Sequence, residues 1–271
     1  MAGHLSELGD IIRLRFQSTP HFAMQGFQML DSKHVLIGKH TRREFRNRMN
    51  SGELKACIIP VAAIEQHLEH LAMEHDWRSV TRIATEVAEK LAPQVVIAEG
   101  VMAGISEHHM KHPGTLTLTP ATFLAVVHDL VDSMVRAGFT NILVLNGHGG
   151  NVVACQSNWD QFLRRFQVNV QFMPYWDVYT VEDAKELLES GARLPEDLPG
   201  HAQEFETSFA LAAFPENVRT DMWTDQPDQK PALATAEKGQ AFIERTVDRV
   251  AVYLQEMIDG KRVAEIPAFH P

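Results

Sequence analysis

The chain has 271 residues, is 45% hydrophobic and carries a formal net charge of −10 at pH 7. This length and apolar content suffice for one large core, so we expect one principal domain. An acidic chain without a block of Lys or Arg lacks the basic surface that binds a phosphate backbone, which argues against a nucleic-acid partner. No run of about 20 apolar residues appears, so the sequence predicts no membrane helix.

The first fifty residues follow no regular pattern of apolar positions. Residues 1–15 mix charged and apolar positions and lack the continuous apolar segment of a signal peptide, which favours a cytoplasmic protein. The two cysteines, Cys57 and Cys155, are therefore predicted to be buried free thiols. We interpret residues 1–50 as an N-terminal extension that packs on a neighbour or leads into the first helix, and residues 51–271 as a single α/β domain.

From residue 55 onward, short apolar runs alternate with longer segments of helical spacing. Continuous apolar runs are typical of strands that are buried on both faces. Strands are predicted at 55–61, 95–98, 115–118, 141–146 and 168–173. Helices are predicted at 77–91, 120–137, 151–166, 181–189, 204–213 and 234–259. This alternation predicts a three-layer α/β/α fold with a mostly parallel central sheet.

Three polar motifs follow predicted strands or begin predicted helices. They are Glu65-Gln66-His67 with Asp76 after it, the turn Asn146-Gly147-His148-Gly149-Gly150-Asn151, and the segment His201-Ala202-Gln203-Glu204-Phe205-Glu206-Thr207. Because ligands gather at the carboxyl ends of parallel strands, we expect these motifs to meet at one edge of the sheet. Carboxylates and imidazoles without thiolates suit Zn, Mn or Fe in a hydrolytic centre.

Each motif alone also has an ordinary structural explanation. The triplet could be surface sequence, the glycine-rich segment a simple turn, and the third motif a helix start with acidic first-turn residues. Two further sets are candidate substrate contacts, Ser106 to His109 after the second strand and Trp176 after the last inner strand. The first could equally be a loop in solvent, and the Trp176 ring could equally pack in the core.

In this combination and order, the three motifs resemble the creatininase (creatinine amidohydrolase) family over residues Lys55 to Arg219. The resemblance implies a creatininase-like α/β hydrolase that binds two divalent metal ions (Zn, Mn or Fe), acts on a small-molecule substrate and forms a homo-oligomer, often a hexamer. One departure is Leu68-Glu69, where the family usually has Gly-Pro.

The resemblance also implies a ligand set. Glu65 and His148 would bind one metal ion, His67 would bind the other, and Asp76 would bridge both. In creatininase itself, a further Glu donor lies two positions after the histidine of the turn. This chain has Gly150 there, and a glycine has no side chain that could ligate.

Glu204 of the third motif is the expected replacement for that donor. His201 matches the family's catalytic histidine, a proton shuttle to the leaving group. Glu206 matches a second acidic position that orients its neighbours in catalysis. Among the candidate substrate contacts, the backbone N–H of Gly149 is expected to stabilise an oxyanion, and Ser106, Glu107, His108, His109 and Trp176 are expected around the substrate.

The favoured function is hydrolysis of a C–N bond in a small cyclic amide or a formamide by metal-activated water. The alternative is hydrolysis of a C–C bond in a cyclic polyhydroxy ketone, an oxidised inositol such as 3-dehydro-scyllo-inosose. A third hypothesis is a non-catalytic metal-binding or ligand-binding protein, motivated by Gly150. Dinucleotide binding is disfavoured because the turn lacks the G-x-G-x-x-G spacing.

Overall fold

A parallel sheet organises the part of the chain that the computed structural model describes, residues 34–189, 198–266 and 268. Its strands are β1 (Ala56–Val61), β2 (Val95–Ile97), β3 (Asn141–Asn146) and β4 (Asn169–Pro174). They lie in the order β2-β1-β3-β4, and every neighbouring pair is parallel. The described residues belong to one compact unit, Asp31–Pro271.

The helices follow the predicted spacing closely. They are α1 (Arg42–Asn50), α2 (His75–Lys90), α3 (Pro120–Ala137), α4 (Val152–Phe166), α5 (Val181–Leu187), α6 (Glu204–Ala213) and α7 (Ala236–Ile258). The strand predicted at 115–118 is wrong, because Leu116 and Leu118 donate single backbone hydrogen bonds to two separate loops, at Ile64 and Gly104. No helix in the described ranges is long and apolar enough to cross a membrane.

Alternate residues of the central strands feed two separate cores. Ile58 of β1 packs with α2, α6 and α7 on one face, whereas Ile59 packs with α3 and α4 on the other. Successive side chains of a strand point to opposite faces, so a sheet covered on both sides needs continuous apolar runs. The predicted three-layer α/β/α fold is confirmed.

Residues 34–50 are part of this domain rather than a separate extension. The carbonyl of Val35 accepts a hydrogen bond of 2.6 Å from the N–H of Ile97 in β2, and the Val35 side chain is buried. Phe45 and Met49 of α1 pack against the core on the α3/α4 face. The expected boundary at residue 50 is therefore corrected for the described part, and residues 1–33 lie outside the described residues.

A buried carboxylate joins α5 to α7. Asp183 accepts hydrogen bonds from Arg245 (2.6 Å) and from Arg249 (2.5 and 3.0 Å), and it also accepts 2.7 Å from the N–H of Thr180 at the start of α5. Burial alone would raise the pKa of Asp183, but the hydrogen bonds from Arg249, Thr180 and Arg245 hold it well below its ordinary value of 3.8. The ionised form is thus stabilised by folding.

We expect Asp183→Asn to lower the free energy of unfolding at pH 7 by about 2–3 kcal/mol, because two arginines lose their buried partner. A carboxyl group whose pKa is lowered by folding stabilises the protein at pH values above its pKa in the unfolded state. The difference in unfolding free energy between variant and wild type should therefore shrink as the pH falls below about 4. Urea unfolding at several pH values measures both effects.

The matched control for that experiment is Glu186→Gln. Glu186 pairs with Arg245 at 2.8 Å, but its side chain is 64% exposed. Exposed pairs contribute less than about 1 kcal/mol, so this variant should remain close to wild type. Equal destabilisation by both substitutions, or a difference for Asp183→Asn that does not depend on pH, would contradict the assignment.

Candidate metal centre

Five buried polar side chains meet at the carboxyl edge of the sheet. Glu65 and His67 follow β1, His148 follows β3, Asp76 is the second residue of α2, and Glu206 is the third residue of α6. Each of them is at most 3% exposed. The three sequence motifs therefore converge, as expected for an open parallel sheet.

These side chains form two triplets that share Asp76. Glu65, Asp76 and His148 form one triplet, and His67, Asp76 and Glu206 form the other, with ligand atoms within 4.8 Å of one another in each. Asp76 Oδ2 lies 2.9 Å from His148 Nδ1, and Asp76 Oδ1 lies 3.0 Å from His67 Nε2. One carboxylate thus faces two adjacent groups of donors, which is the arrangement that two bridged cations require.

Hydrogen bonds behind the triplets orient both imidazole rings. His67 Nδ1 donates to the carbonyl of Glu65 (3.0 Å), which leaves Nε2 facing Asp76. His148 Nε2 lies 3.1 Å from the carbonyl of Ile105, which leaves Nδ1 facing Asp76. Such contacts from outside the ligand set fix the tautomer and direction of metal-binding histidines.

Ser106, expected to contact substrate, instead contacts two of the candidate metal ligands, Glu65 and His148. Its hydroxyl donates to Glu65 Oε2 at 2.6 Å and lies 3.2 Å from His148 Nε2, and the residue is fully buried. Ser106 therefore holds Glu65 in place from behind.

The electrostatic field of the site favours positive charge. Burial raises the pKa of Glu65 and of Glu206, because a carboxylate loses its hydration. Burial alone would lower the pKa of His67 and of His148, but Asp76 raises both above the usual range. Buried carboxylates are normally paired or bound to metal, so this donor set fits divalent cations.

Glu204 does not belong to this cluster, and its expected role as the replacement donor is corrected. Its Oε1 accepts hydrogen bonds from Lys238 Nζ (2.8 Å) and from the N–H of Glu189 (3.0 Å). Residues two apart on a helix point about 200° from each other, so only one of Glu204 and Glu206 can face the sheet edge. Glu206 does so, held by a 2.5 Å hydrogen bond from the N–H of Ala202.

The backbone around Gly150 explains why the turn cannot supply that donor. A Cβ atom at Gly150 would lie 2.1 Å from the carbonyl oxygen of Ile105 and 2.4 Å from His148 Nε2. A Cβ atom at Gly149 would meet nothing within 4 Å. The second glycine is therefore required by close packing, and α6 offers the carboxylate of Glu206 to the second triplet.

The side chain of Asn151 forms hydrogen bonds to several loop segments at this edge of the sheet. Asn151 Oδ1 accepts from the N–H of Ile105 (2.9 Å), and Asn151 Nδ2 donates to the carbonyl of Ala62 (3.3 Å) and to Asn146 Oδ1 (3.0 Å). The segments after β1, β2 and β3 are thereby joined beneath the candidate ligand residues.

A cavity of about 400 Å³ opens above the two triplets. Of the expected substrate contacts, His108, His109 and Gly149 line it, together with His201. A second cavity of about 630 Å³ shares His108, His109 and His201 as lining residues. Burial, with His108 beside His109 and His67 beside His201, lowers the pKa of His109 to about 4 and of His201 to about 3.

Two of the residues expected to contact substrate, Glu107 and Trp176, line neither of these two cavities. Glu107 is exposed at the surface. Trp176 is 8% exposed and packs in the hydrophobic core, with its ring 5.2 Å from that of Tyr175. A short helical turn at Tyr175–Val178 follows β4 and directs the ring into the core.

Sequence reasoning missed two parts of the site. Leu198, Pro199 and Gly200 line the first cavity, and their composition carries no signal beyond that of an ordinary loop. Gln66 contacts two of the cavity histidines. Its position inside the first motif was the available signal.

Leu68, which stands where the family usually has glycine, adopts a left-handed backbone with φ 56°. Glycine enters this region without steric cost, whereas a residue with a Cβ does so at about 1–2 kcal/mol. This chain therefore holds leucine in a backbone conformation that glycine would adopt without steric cost.

The sequence model of the creatininase family, described as creatinine amidohydrolase, matches residues 39–231. The chain belongs to the creatininase family, a family of metal-dependent hydrolases. Creatinine amidohydrolase from Pseudomonas putida is 27% identical over 258 residues, which cover 83% of this chain and 98% of the relative. The 3-dehydro-scyllo-inosose hydrolase of Thermotoga maritima is 30% identical over 187 residues, which cover 68% of this chain and 58% of the relative.

Solved creatininase structures share the fold. A creatininase variant of Zn–Zn type gives a TM-score of 0.71 at 26% identity, covering 83% of this chain and 98% of that chain. A Mn form of creatininase gives a TM-score of 0.70 at the same identity and coverage. These likenesses support divalent metal binding by the present chain.

We expect Gly150→Ala to destabilise the protein by about 1–3 kcal/mol and to reduce its metal content, because the added methyl group displaces Ile105 and His148. Gly149→Ala, one residue away, adds the same methyl group to open space and should retain both properties. Thermal unfolding and elemental analysis of the two variants check this. Similar losses in both would show that the turn, rather than close packing at residue 150, is what matters.

Proposed function

We propose that this site holds two divalent metal ions and hydrolyses a small organic substrate. The observation that supports this most is the position of Asp76, whose two oxygens face different imidazoles in two complete donor triplets. Glu65 and His148 would hold one ion, His67 and Glu206 the other, and Asp76 both. Carboxylate and imidazole donors suit Zn, Mn or Fe.

When bound, such ions supply a water of lowered pKa and polarise a carbonyl oxygen of the substrate. The chain contributes the surrounding polar groups. His109 Nε2 and His201 Nδ1 lie 3.7 and 3.6 Å from Glu65 Oε1, at the edge of the donor cluster. Gly149, the residue after His148, lines the cavity with its backbone.

We favour hydrolysis of a C–N bond in a cyclic amide or a formamide. The similarity to creatinine amidohydrolase extends over nearly the whole length of that relative, which supports this reaction class. The cavity of about 400 Å³ has room for a substrate of that size.

Hydrolysis of a C–C bond in a cyclic polyhydroxy ketone is the second candidate, supported by a specific observation. The described lining of the second cavity contains no Phe, Tyr or Trp, and it offers hydrogen-bonding groups from Gln66, Lys111, His112 and Gln226. Such a wall suits a hydroxylated ring. The similarity to the inosose hydrolase of Thermotoga maritima points in the same direction.

The non-catalytic alternative loses its motivation. It was based on the absence of a donor at Gly150, whereas Glu206 offers a buried carboxylate in the second triplet. A homo-oligomer, with a hexamer as the expected assembly, and a cytoplasmic location stay predictions.

The metal stoichiometry tests the proposed centre. We expect about two ions per chain in the wild-type protein after loading with Zn or Mn, and a loss of at least one in Glu206→Gln, because its carboxylate completes the second triplet. Elemental analysis after gel filtration gives the ratio.

Glu204→Gln is the matched control, with the same chemical change two residues away on α6. It should bind two ions, although losing the pair with Lys238 should lower its stability. Loss of metal in Glu204→Gln but not in Glu206→Gln would restore the sequence-based ligand assignment. One ion or none in the wild type would refute the dinuclear centre.

Substrate screening tests the reaction. We expect the metal-loaded protein to add one water, a mass increase of about 18 Da, to a cyclic amide, because the favoured reaction is hydrolytic ring opening. Mass spectrometry of parallel incubations with creatinine, other small lactams, formamides and 3-dehydro-scyllo-inosose measures it. Glu206→Gln serves as the inactive control. Turnover of the inosose alone would replace the C–N assignment with the C–C assignment.

A further inference from the structure

Gln66 makes an unusual set of contacts beside the metal ligands. Its Oε1 accepts a 3.0 Å hydrogen bond from the N–H of Leu68. Its Nε2 lies 2.8 Å from His109 Nδ1 and also 2.8 Å from His201 Nε2. One amide therefore connects two histidines that line both cavities.

The backbone fixes which way this amide faces. A backbone N–H can only donate, so the atom that meets Leu68 must be the amide oxygen. The left-handed φ of 56° at Leu68 belongs to the tight turn that directs this N–H back toward residue 66. The N–H of Gln66 is itself held by Thr115 Oγ1 at 3.1 Å.

The amide orientation in turn fixes the protons of both rings. An amide NH₂ has two hydrogens and does not accept hydrogen bonds, so each ring nitrogen that it meets must be an acceptor. A neutral imidazole carries its single proton on the other nitrogen. The protons are therefore placed on Nε2 of His109 and on Nδ1 of His201.

Those protonated nitrogens converge on the candidate metal centre. His109 Nε2 lies 3.7 Å from Glu65 Oε1, and His201 Nδ1 lies 3.6 Å from the same oxygen. The two rings are stacked, with centroids 4.4 Å apart and planes 24° apart. The pair thus presents two N–H groups side by side at the edge of the donor cluster, in residues that line the first cavity.

We propose that Gln66 is a positioning residue that sets the tautomers of His109 and His201, so that the pair offers two neutral hydrogen-bond donors to a substrate oxygen. This inference builds on the proposed hydrolytic function. Donors that are already oriented stabilise an oxygen on which negative charge develops, and they require no reorganisation during the reaction. The substrate class is one with a carbonyl oxygen that becomes negatively charged.

This assignment differs from the proton shuttle that the family resemblance implies for His201. A shuttle must take up a proton at a nitrogen that faces the reacting atoms. In His201 the acceptor nitrogen faces Gln66 instead, at 2.8 Å. His201 then acts as a hydrogen-bond donor, and the proton that the departing group gains comes from the water that the hydrolysis consumes.

Long-range ¹H–¹⁵N NMR of the Zn-loaded protein, labelled with ¹⁵N-histidine, tests the tautomers directly. His109→Gln and His201→Gln identify the two sets of signals. The expected wild-type pattern is a proton on Nδ1 of His201 and on Nε2 of His109. A proton on Nε2 of His201, or two protons on either ring, would overturn the proposal.

Gln66→Glu provides the second arm, because glutamate keeps the shape of the side chain but offers only acceptors. A proton should then appear on the ring nitrogens that face residue 66. Unchanged tautomers in this variant would count against Gln66 as their cause. Should Gln66→Glu fail to fold, the wild-type pattern still decides.

Activity and metal content separate this proposal from the proposed function. Gln66→Glu should retain its metal ions and lower kcat by at least about 10²–10³-fold, the effect of losing a single donor of this kind, with a smaller change in KM. Gln161→Glu, with the same charge change at an exposed residue of α4, should behave as wild type. A wild-type protein without two ions or without hydrolysis refutes the proposed function and leaves the tautomer result intact, whereas unchanged kcat in Gln66→Glu refutes only the role of Gln66.

Discussion

The candidate site depends on the contacts of one buried carboxylate, that of Asp76, with two imidazole rings. Asp76 lies in the first turn of α2, where the helix dipole favours negative charge, and each oxygen faces a different imidazole. His67 arrives from the loop after β1 and His148 from the loop after β3. The Asp76 side chain therefore contacts residues that follow two neighbouring strands, while it lies on a helix itself. Glu65 and Glu206 complete the two triplets that share Asp76.

The fifth candidate donor comes from α6, because the turn after β3 has no room for a side chain at residue 150. At Gly150 the backbone lies too close to Ile105 to admit any side chain. The first turn of α6 approaches the same region, and Glu206 extends into it. Its neighbour Glu204 faces Lys238 instead and holds α6 against α7. Two glutamates in one motif thus serve different purposes, one at the site and one in the fold.

Most of the fold and the location of the site could be predicted from the sequence, since both depend on local patterns. Continuous apolar runs predicted the strands, and helical spacing predicted the helices. The polar motifs that follow strand ends predicted the edge of the sheet at which the candidate site lies. The choice between Glu204 and Glu206 could not be made, because it depends on how α6 is rotated against the sheet. Trp176 and Glu107 could not be placed for a related reason: a side chain after a strand reaches the cavity, the core or solvent according to a loop path that no periodicity encodes. The packing of Val35 on β2 was missed because a short apolar stretch pairs with a strand more than sixty residues away.

Asn151 has a consequence for how the edge of the sheet moves. Its amide joins the segments after β1, β2 and β3 through Ala62, Ile105 and Asn146. A loop that is held in this way cannot open alone without leaving buried hydrogen-bonding groups unpaired, a cost of about 1–3 kcal/mol for each group. The three loops should then exchange their amide protons with solvent at a common rate, as one cooperative unit. Solvent would reach the buried side chains only when all three loops open at the same time. The candidate ligands would then keep or lose their arrangement as one set.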